Sequence, residues 1–270
     1  MKAASFAYVK PKSLAETLDL LEGHGEGARI LAGGQSLIPS LNMRLSAPEL
    51  LIDIGGLEEL RGISVDRGVL RIGAMVTHAQ LESSEVVRKH APLLAQAVPY
   101  IAHPAIRNRG TIGGSLALAD PAAEYPAVAL ALNAVMFVEG KKGQRQVDAR
   151  HFFKGLFETD MRPGEVLVAV EIPAKLEGER SVFLELARRH GDYAIVGLAA
   201  FKGAETRFAF LNAGPTAVLA RNTALKKSLA EAKTALRADL DPTADLHNSS
   251  ATKLHLAGVL LERAWNTLSI

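Results

Sequence analysis

The opening of the chain alternates between helical and extended patterns. In SLAETLDLLEG, which starts at Ser13, the residues Leu14, Leu18 and Leu21 fall on one helical face. Ser13 followed by Glu16 has the spacing of a capping box, and Gly23 is a plausible stop. ARILAGG, from Ala28, is a short apolar run closed by turn residues and predicts a buried strand. LLIDI, Leu50 to Ile54, predicts another. The order strand, helix, strand suggests parallel pairing.

The middle of the chain has a different rhythm. GVLRIGAMV, from Gly68, predicts a strand. Thr77 with Gln80 repeats the capping-box spacing, and Pro92 and Pro126 suit the first turns of two more helices. VMFVEGKKGQRQVDA predicts a hairpin turning at Gly140–Gly143. EVLVAVEIP alternates with period two, which would put Val166, Val168, Val170 and Ile172 on one face.

After Pro173 the polar run AKLEGER is a candidate linker. The strand-like runs SVFLELARR, YAIVGLAAF and RFAFLNAG follow, then a charged helix in TALKKSLAEAKTALRADL. A final amphipathic helix carries Leu254, Leu261 and Leu268. We therefore expect an α+β chain with a boundary near residue 174: a first domain over 1–173, with a small lobe over 1–56 and a larger one over 57–173, and a C-terminal α+β domain over 174–270. No internal repeat or low-complexity tract is evident.

Composition narrows the chemistry. The 270 residues are 48% hydrophobic and 22% charged, enough for a sizeable core in two or three subdomains. Lys and Arg number 31 against 29 acids, a formal charge of +2 without long blocks of one sign, which argues against nucleic-acid binding. There is no cysteine, so this chain cannot itself carry disulfides, thiolate metal sites, iron–sulfur clusters or a cysteine-linked flavin. That fits a cytoplasmic setting. No signal-peptide core and no apolar run of transmembrane length is present. The eight histidines form no H-E-x-x-H and do not cluster with carboxylates, so His103 and His151 read as structural. No G-x-S-x-G elbow and no phosphate-binding P-loop occurs. GHGEG, from Gly23, ends a helix rather than opening one.

What remains is a pair of Gly-Gly turns followed by serine: Gly33-Gly34-Gln35-Ser36 and Gly113-Gly114-Ser115. Such pairs allow positive φ and close backbone approach, and consecutive amides can form an anion-binding nest. Two of them suit a pyrophosphate gripped from both sides, though each alone could simply be a tight turn after a strand. A cofactor cradle with little acid/base machinery fits electron transfer, where the cofactor does the chemistry.

Taken together, AGGQSLIPSLNMRL, HPAIRNRGTIGGSLALADPAAEYP and ARRHGDYAIVG resemble the FAD-binding medium subunits of the molybdenum hydroxylases, those of aerobic carbon monoxide dehydrogenase above all. The likeness runs over nearly the whole chain. It implies the FAD-binding fold type shared with vanillyl-alcohol oxidase, with non-covalent FAD extended between two lobes, and a C-terminal α+β domain. By resemblance the cofactor-binding positions are Ala32, Gly33, Gly34, Gln35, Ser36 and Leu37 in one cradle, and Thr111, Gly113, Gly114 and Ser115 in the other. To these are added Ile101, Glu124 at a ribose-binding acidic position, Leu167 beside the flavin and Tyr193 near the isoalloxazine face. Asp120 could instead cap the turn before Pro121. Some relatives carry a lysine on the strand before the paired arginines; this chain has Leu184-Glu185 there.

The resemblance also implies partners: a large molybdopterin subunit and a small subunit with two [2Fe–2S] clusters, assembled as a dimer of heterotrimers. FAD would pass electrons to an acceptor such as a quinone, in the cytoplasm or at the inner face of the membrane. The rival readings are a stand-alone flavin reductase resembling UDP-N-acetylenolpyruvoylglucosamine reductase, and a flavin-free assembly subunit.

Overall fold

The computed structural model describes residues 2–270. Its first sheet is parallel, in the order β1-β3-β2: β1 (Ala7–Val9), then helix α1 (Leu14–His24), β2 (Ala28–Leu31), helix α2 (Leu37–Asn42) and β3 (Leu50–Asp53). Both β1 and β2 flank β3, with Ala7 and Ala28 each opposite Leu50. Leu14, Leu18 and Leu21 of α1 bury against Ile52 and Ile54, as their spacing predicts.

The second sheet is antiparallel, in the order β4-β5-β10-β6-β7. Its strands are β4 (Ile63–Asp66), β5 (Val69–Gly73), β6 (Val135–Gly140), β7 (Gly143–Asp148) and, after the small hairpin of β8 (Phe153–Gly155) and β9 (Glu158–Thr159), β10 (Val166–Pro173). Gly140 and Gly143 close the β6–β7 hairpin as expected. Between β5 and β6 run six short helices: α3 (His78–Ser83), α4 (Glu85–His90), α5 (Pro92–Ala97), α6 (Pro104–Arg107), α7 (Ile112–Leu118) and α8 (Glu124–Ala131). Thr77 and Gln80 form a complete capping box at α3. A four-residue helix, α9 (Ala149–Phe152), precedes β8.

The third sheet is antiparallel in the order β11-β12-β13-β14, with β11 (Arg180–Ala187), β12 (Ala194–Lys202), β13 (Thr206–Leu211) and β14 (Val218–Leu219). Three helices follow: α10 (Arg221–Ala224), α11 (Leu229–Asp239) and α12 (Ser250–Leu268). One face of this sheet packs under α12 through Val196, Leu198, Phe208 and Phe210. The other face, with Phe183, Ala199 and Leu211, joins the core of the second lobe.

Helix α8 is where these layers meet. All eight of its residues are buried, and it packs against β12 and β13 on one side and α5 and α7 on the other. A helix that is apolar nearly all round belongs inside. Its alanines let the neighbours approach, and its one charged residue, Glu124, is delivered at its N-terminal end.

Several local expectations need correction. Helix α1 runs past Gly23 and stops at Gly25, whose φ of 50° supplies the left-handed turn. Its capping box is half formed: Ser13 accepts from the Glu16 N–H, but the Glu16 carboxylate takes the Lys12 N–H. Pro126 does fall in the first turn of its helix, which begins at Glu124. The charged stretch 223–240 is split into α10 and α11 because Ser228 caps a new helix by accepting from Glu231 N–H.

Another concerns β10. Its register shifts between Leu167 and Ala169, a bulge that reverses the alternation. Val166 and Val168 therefore pack toward the first lobe, whereas Val170 and Ile172 pack toward the second. The segment 174–179 is also tied down rather than free: Ala174 and Lys175 N–H groups donate to Gly68 O and His90 O.

Leu261 lies fully buried in the seam between α12 and the third sheet. Leu261→Ala is expected to destabilise the chain by about 2–5 kcal/mol, as cavity-forming core truncations do. A denaturant titration with unchanged slope would report it.

Candidate functional site

The two Gly-Gly turns meet. Gly33 follows β2, and a Cβ on it would lie 2.3 Å from Arg109 O and 2.7 Å from Gly110 Cα. Gly114 approaches the Ala32 methyl at 3.7 Å by the same construction. Gly113 sits on Ala74, where a Cβ would come within 2.4 Å of the alanine Cβ. At Gly33 and Gly113 the close neighbours are backbone atoms and an alanine Cβ, so no side-chain rearrangement can relieve a substitution at either.

Beside this contact opens a cleft of about 720 Å³. All fourteen positions singled out by resemblance line it. Ala32 to Leu37 form one wall. Thr111, Gly113, Gly114 and Ser115 form the facing wall, Ile101 and Leu167 are buried in its flanks, and Glu124 and Tyr193 lie toward the third sheet.

The two turns contribute differently. Among the described residues, no protein acceptor takes the N–H groups of Gly33, Gly34, Gln35 or Ser36. Gly34 has φ of +74°, and the Gln35 side chain folds back onto Gly33 O at 2.9 Å. This loop is thus an open row of amide donors. The second turn caps α7: Thr111 Oγ1 accepts from Gly114 N–H, and the N–H groups of Ile112, Gly113 and Ser115 donate to Val76 O, Ala74 O and Thr111 O. Those amides are therefore not free. This turn offers the cleft a smooth glycine surface and the Ser115 hydroxyl instead of a second row of donors.

Tyr193 lies just outside β12 and is 75% exposed, so it is not a core strand residue. Its loop is seated by Gly191 (φ +87°), where a Cβ would be 2.7 Å from Ala102 O. Asp120 Oδ1 accepts from Ala122 N–H at 2.9 Å, the local turn role open to it.

Glu124 is nine-tenths buried with no cationic partner, and burial pushes its carboxyl up to about 7. Next to it, Tyr125 OH pairs with His78 Nδ1 at 3.0 Å. Burial, then the positive charge of Arg107, lowers His78 to about 4, so this ring is neutral at physiological pH. His78 N–H in turn holds Gly110 O at 3.0 Å, linking the start of α8 to the seam between the turns.

His78, Phe157, Met161 and Asp192 also line the cleft and were not expected there. His78 follows the capping Thr77 in sequence, which gives no hint of a cleft position. Phe157 and Met161 arrive from the β8–β9 hairpin and the residues just after it, far along the chain from both glycine turns, and no local motif announces them. Arg29 also lines the cleft, with its guanidinium turned to Glu26 O and Ala28 O.

Comparison with known proteins agrees with this geometry. The family described as the FAD binding domain in molybdopterin dehydrogenase matches residues 4–175. The chain belongs to that family. It is 39% identical over 97% of its length to the 6-hydroxypseudooxynicotine dehydrogenase complex subunit alpha of Paenarthrobacter nicotinovorans, covering 94% of that protein. It is 38% identical to the carbon monoxide dehydrogenase medium chain of Hydrogenophaga pseudoflava, over 97% of this chain and 96% of that one. The solved structure of carbon monoxide dehydrogenase from Hydrogenophaga pseudoflava superposes with a TM-score of 0.95 at 37% identity, covering 100% of this chain and 99% of that one. Quinoline 2-oxidoreductase from Pseudomonas putida 86 gives 0.92 at 39% identity, over 100% of this chain and 98% of that one. The fold expected from the resemblance is therefore the fold present. The chain is an FAD-binding subunit of the molybdenum hydroxylase type, an oxidoreductase component.

Gly33→Ala is expected to lose FAD, because the added methyl drives the two turns apart. Flavin absorbance retained after gel filtration with added FAD measures this, and Ser36→Ala should retain far more of it. Glu124→Gln is expected to change stability in a pH-dependent way. A carboxyl at 4.5 when unfolded and about 7 when folded keeps its stability contribution below pH 4.5 and loses it as pH rises to about 7. The amide variant should match the parent near pH 4.5 and melt a few degrees higher at pH 8, by roughly 2–4 °C for each kcal/mol.

Proposed function

We propose that this chain is the electron-transfer subunit of a three-subunit molybdenum hydroxylase. It receives electrons from the [2Fe–2S] clusters of a small partner subunit and passes them to an external acceptor such as a quinone. A large partner with the molybdopterin cofactor oxidises the substrate, and the assembly is a cytoplasmic dimer of heterotrimers. Residues 1–173 form the FAD-binding unit in this reading, and residues 174–270 the C-terminal unit. The observation that carries it is the single cleft onto which both glycine turns and all the resemblance-derived positions converge.

The residues fit FAD. The open amides of Gly33 to Ser36 are suited to pyrophosphate oxygens, which need donors but no fixed positive charge. Thr111, Gly113, Gly114 and Ser115 let the phosphates pass close to the backbone from the other side. In this reading Glu124 accepts from a ribose hydroxyl, and the exposed Tyr193 ring covers the isoalloxazine and controls what reaches it; that all of these residues line one cleft, with Ile101 and Leu167 offering apolar flanks for flat rings, supports it. Bound FAD supplies the chemistry of taking up two electrons and handing them on.

With no cysteine, these 270 residues supply no thiolate ligands for an iron–sulfur cluster, which supports clusters held on a partner. Relatives named for 6-hydroxypseudooxynicotine, caffeine and carbon monoxide share this type of chain, which supports a substrate choice made elsewhere in each complex.

Purification from a native host should give a complex of three subunits with a flavin band over broader iron–sulfur absorption. A chain that emerges alone and flavin-free, and stays so after FAD and candidate partners are added, overturns the proposal in favour of an assembly role.

A further inference from the structure

His78 is a buried histidine in the wall of the cleft, brought there by the capping box that starts α3. Its ring meets Tyr125 edge-on with the centroids 5.2 Å apart, and its Nδ1 lies 3.0 Å from the Tyr125 hydroxyl. Tyr125 is fully buried, and this nitrogen is the one hydrogen-bond partner of its hydroxyl among the described residues. That decides the direction of the bond. If Nδ1–H donated to the phenol, a buried O–H would be left without an acceptor and would bear its full desolvation cost. The phenol therefore donates and Nδ1 accepts. The ring is neutral, so its one N–H sits on Nε2.

Nε2 has no hydrogen-bond partner among the described residues. It is not sealed off either. The described side-chain atoms that are both unpaired and fully buried are Arg61 Nε, Glu185 Oε2 and Asp192 Oδ2, so Nε2 is reached from the cleft that its residue lines. It lies against Gly110, where a Cβ would come within 2.5 Å of it. Gly110 is also the residue that Gly33 touches, at 2.7 Å from Cα by the same construction. Having no side chain at 110 thus leaves the Nε2–H uncovered beside the loop of open amides. The neighbouring cations are committed elsewhere: Arg107 to Glu82 at 2.9 Å and Ile101 O at 3.1 Å, and Arg29 to Glu26 O and Ala28 O.

We propose that the Nε2–H of His78 donates to the FAD pyrophosphate at the seam between the two glycine turns, and that Tyr125 is the positioning residue that keeps the proton on that nitrogen. This rests on the reading of the cleft as an FAD site. The donor is oriented before any ligand arrives, by the Tyr125 hydroxyl on one side and by the backbone bond from His78 N–H to Gly110 O on the other. A bond from a neutral N–H to an anionic oxygen is charge-assisted, yet no cation has to be stripped of water to make it. The second turn spends its own amides on capping α7. His78 supplies from behind Gly110 the donor which that side of the cleft otherwise lacks.

The test uses the full chain with histidine labelled for nitrogen NMR. In the FAD-free protein at neutral pH the His78 proton should sit on Nε2, and Tyr125→Phe should let it spread over both nitrogens. A proton on Nδ1 in the wild type overturns the proposal, and this arm needs no cofactor. On loading with FAD, the Nε2–H resonance should shift and exchange more slowly with solvent. Bound flavin with that resonance unmoved overturns the proposal alone, whereas a chain that binds no FAD overturns the reading of the cleft and the proposal with it. His78→Phe keeps a flat ring without the donor and should raise the FAD dissociation constant roughly tenfold, as loss of a hydrogen bond to a charged group does. Tyr125→Phe should raise it less, and should add nothing in the His78→Phe background. A merely structural pair predicts lower melting temperatures with FAD affinity unchanged, or losses of affinity that add, and either result overturns the proposal. Should His78→Phe fail to fold, the wild-type spectra still decide.

Discussion

Everything about the cleft depends on one contact of main chain on main chain, Gly33 against Arg109 and Gly110. The atoms there are closer than any side chain would permit. That contact fixes the end of the parallel sheet against the loop that starts α7, and the cleft is the space left beside it. The same device recurs at the neighbouring seams: Gly113 on Ala74, and Gly73 on Leu60 O, where a Cβ would come within 2.3 Å. Glycine is therefore used here for close approach more than for unusual φ. Gly33 and Gly113 are not among the positive-φ residues, whereas Gly34 is. One motif thus holds two glycines for two reasons, one for contact and one for the turn that opens the amides.

Much of the fold could be read in the sequence because its signals are local. Ser13 and Thr77 sit where helices begin, and a capping hydroxyl acts within three residues of itself. The parallel first sheet followed from a strand–helix–strand order that leaves few other topologies. The misreadings share a different cause. In VLVAVEI nearly every residue is buried on one face or the other, so the alternation of valines carries no information about facing, and a bulge at Leu167–Ala169 decides it. Thr223 to Leu240 has one helical composition, yet Ser228 prefers to cap and divides it.

The site divides along the same line. The glycine turns were legible because their backbone freedom is written in the residues themselves. Which amides remain free was not, since the donors of the second turn are satisfied by Val76, Ala74 and Thr111 across the fold. His78, Phe157 and Met161 come to the cleft by tertiary packing alone.

The result is a cleft with two electrostatic ends. Open amides lie at the Gly33 loop, where anionic oxygens gain hydrogen bonds, and carboxyls gather at the Asp120–Glu124 turn, where they would be repelled. A helix macrodipole cannot reverse this, because Glu124 already occupies the N-terminus of α8 and its charge opposes further anions. An elongated ligand with phosphates near one end and hydroxyl donors near the other therefore has one favourable orientation. Direction is set by fixed dipoles and buried acids, with the one lining arginine, Arg29, turned to its own backbone. A cofactor that must present the same ring edge to each electron carrier needs that constraint before it needs affinity.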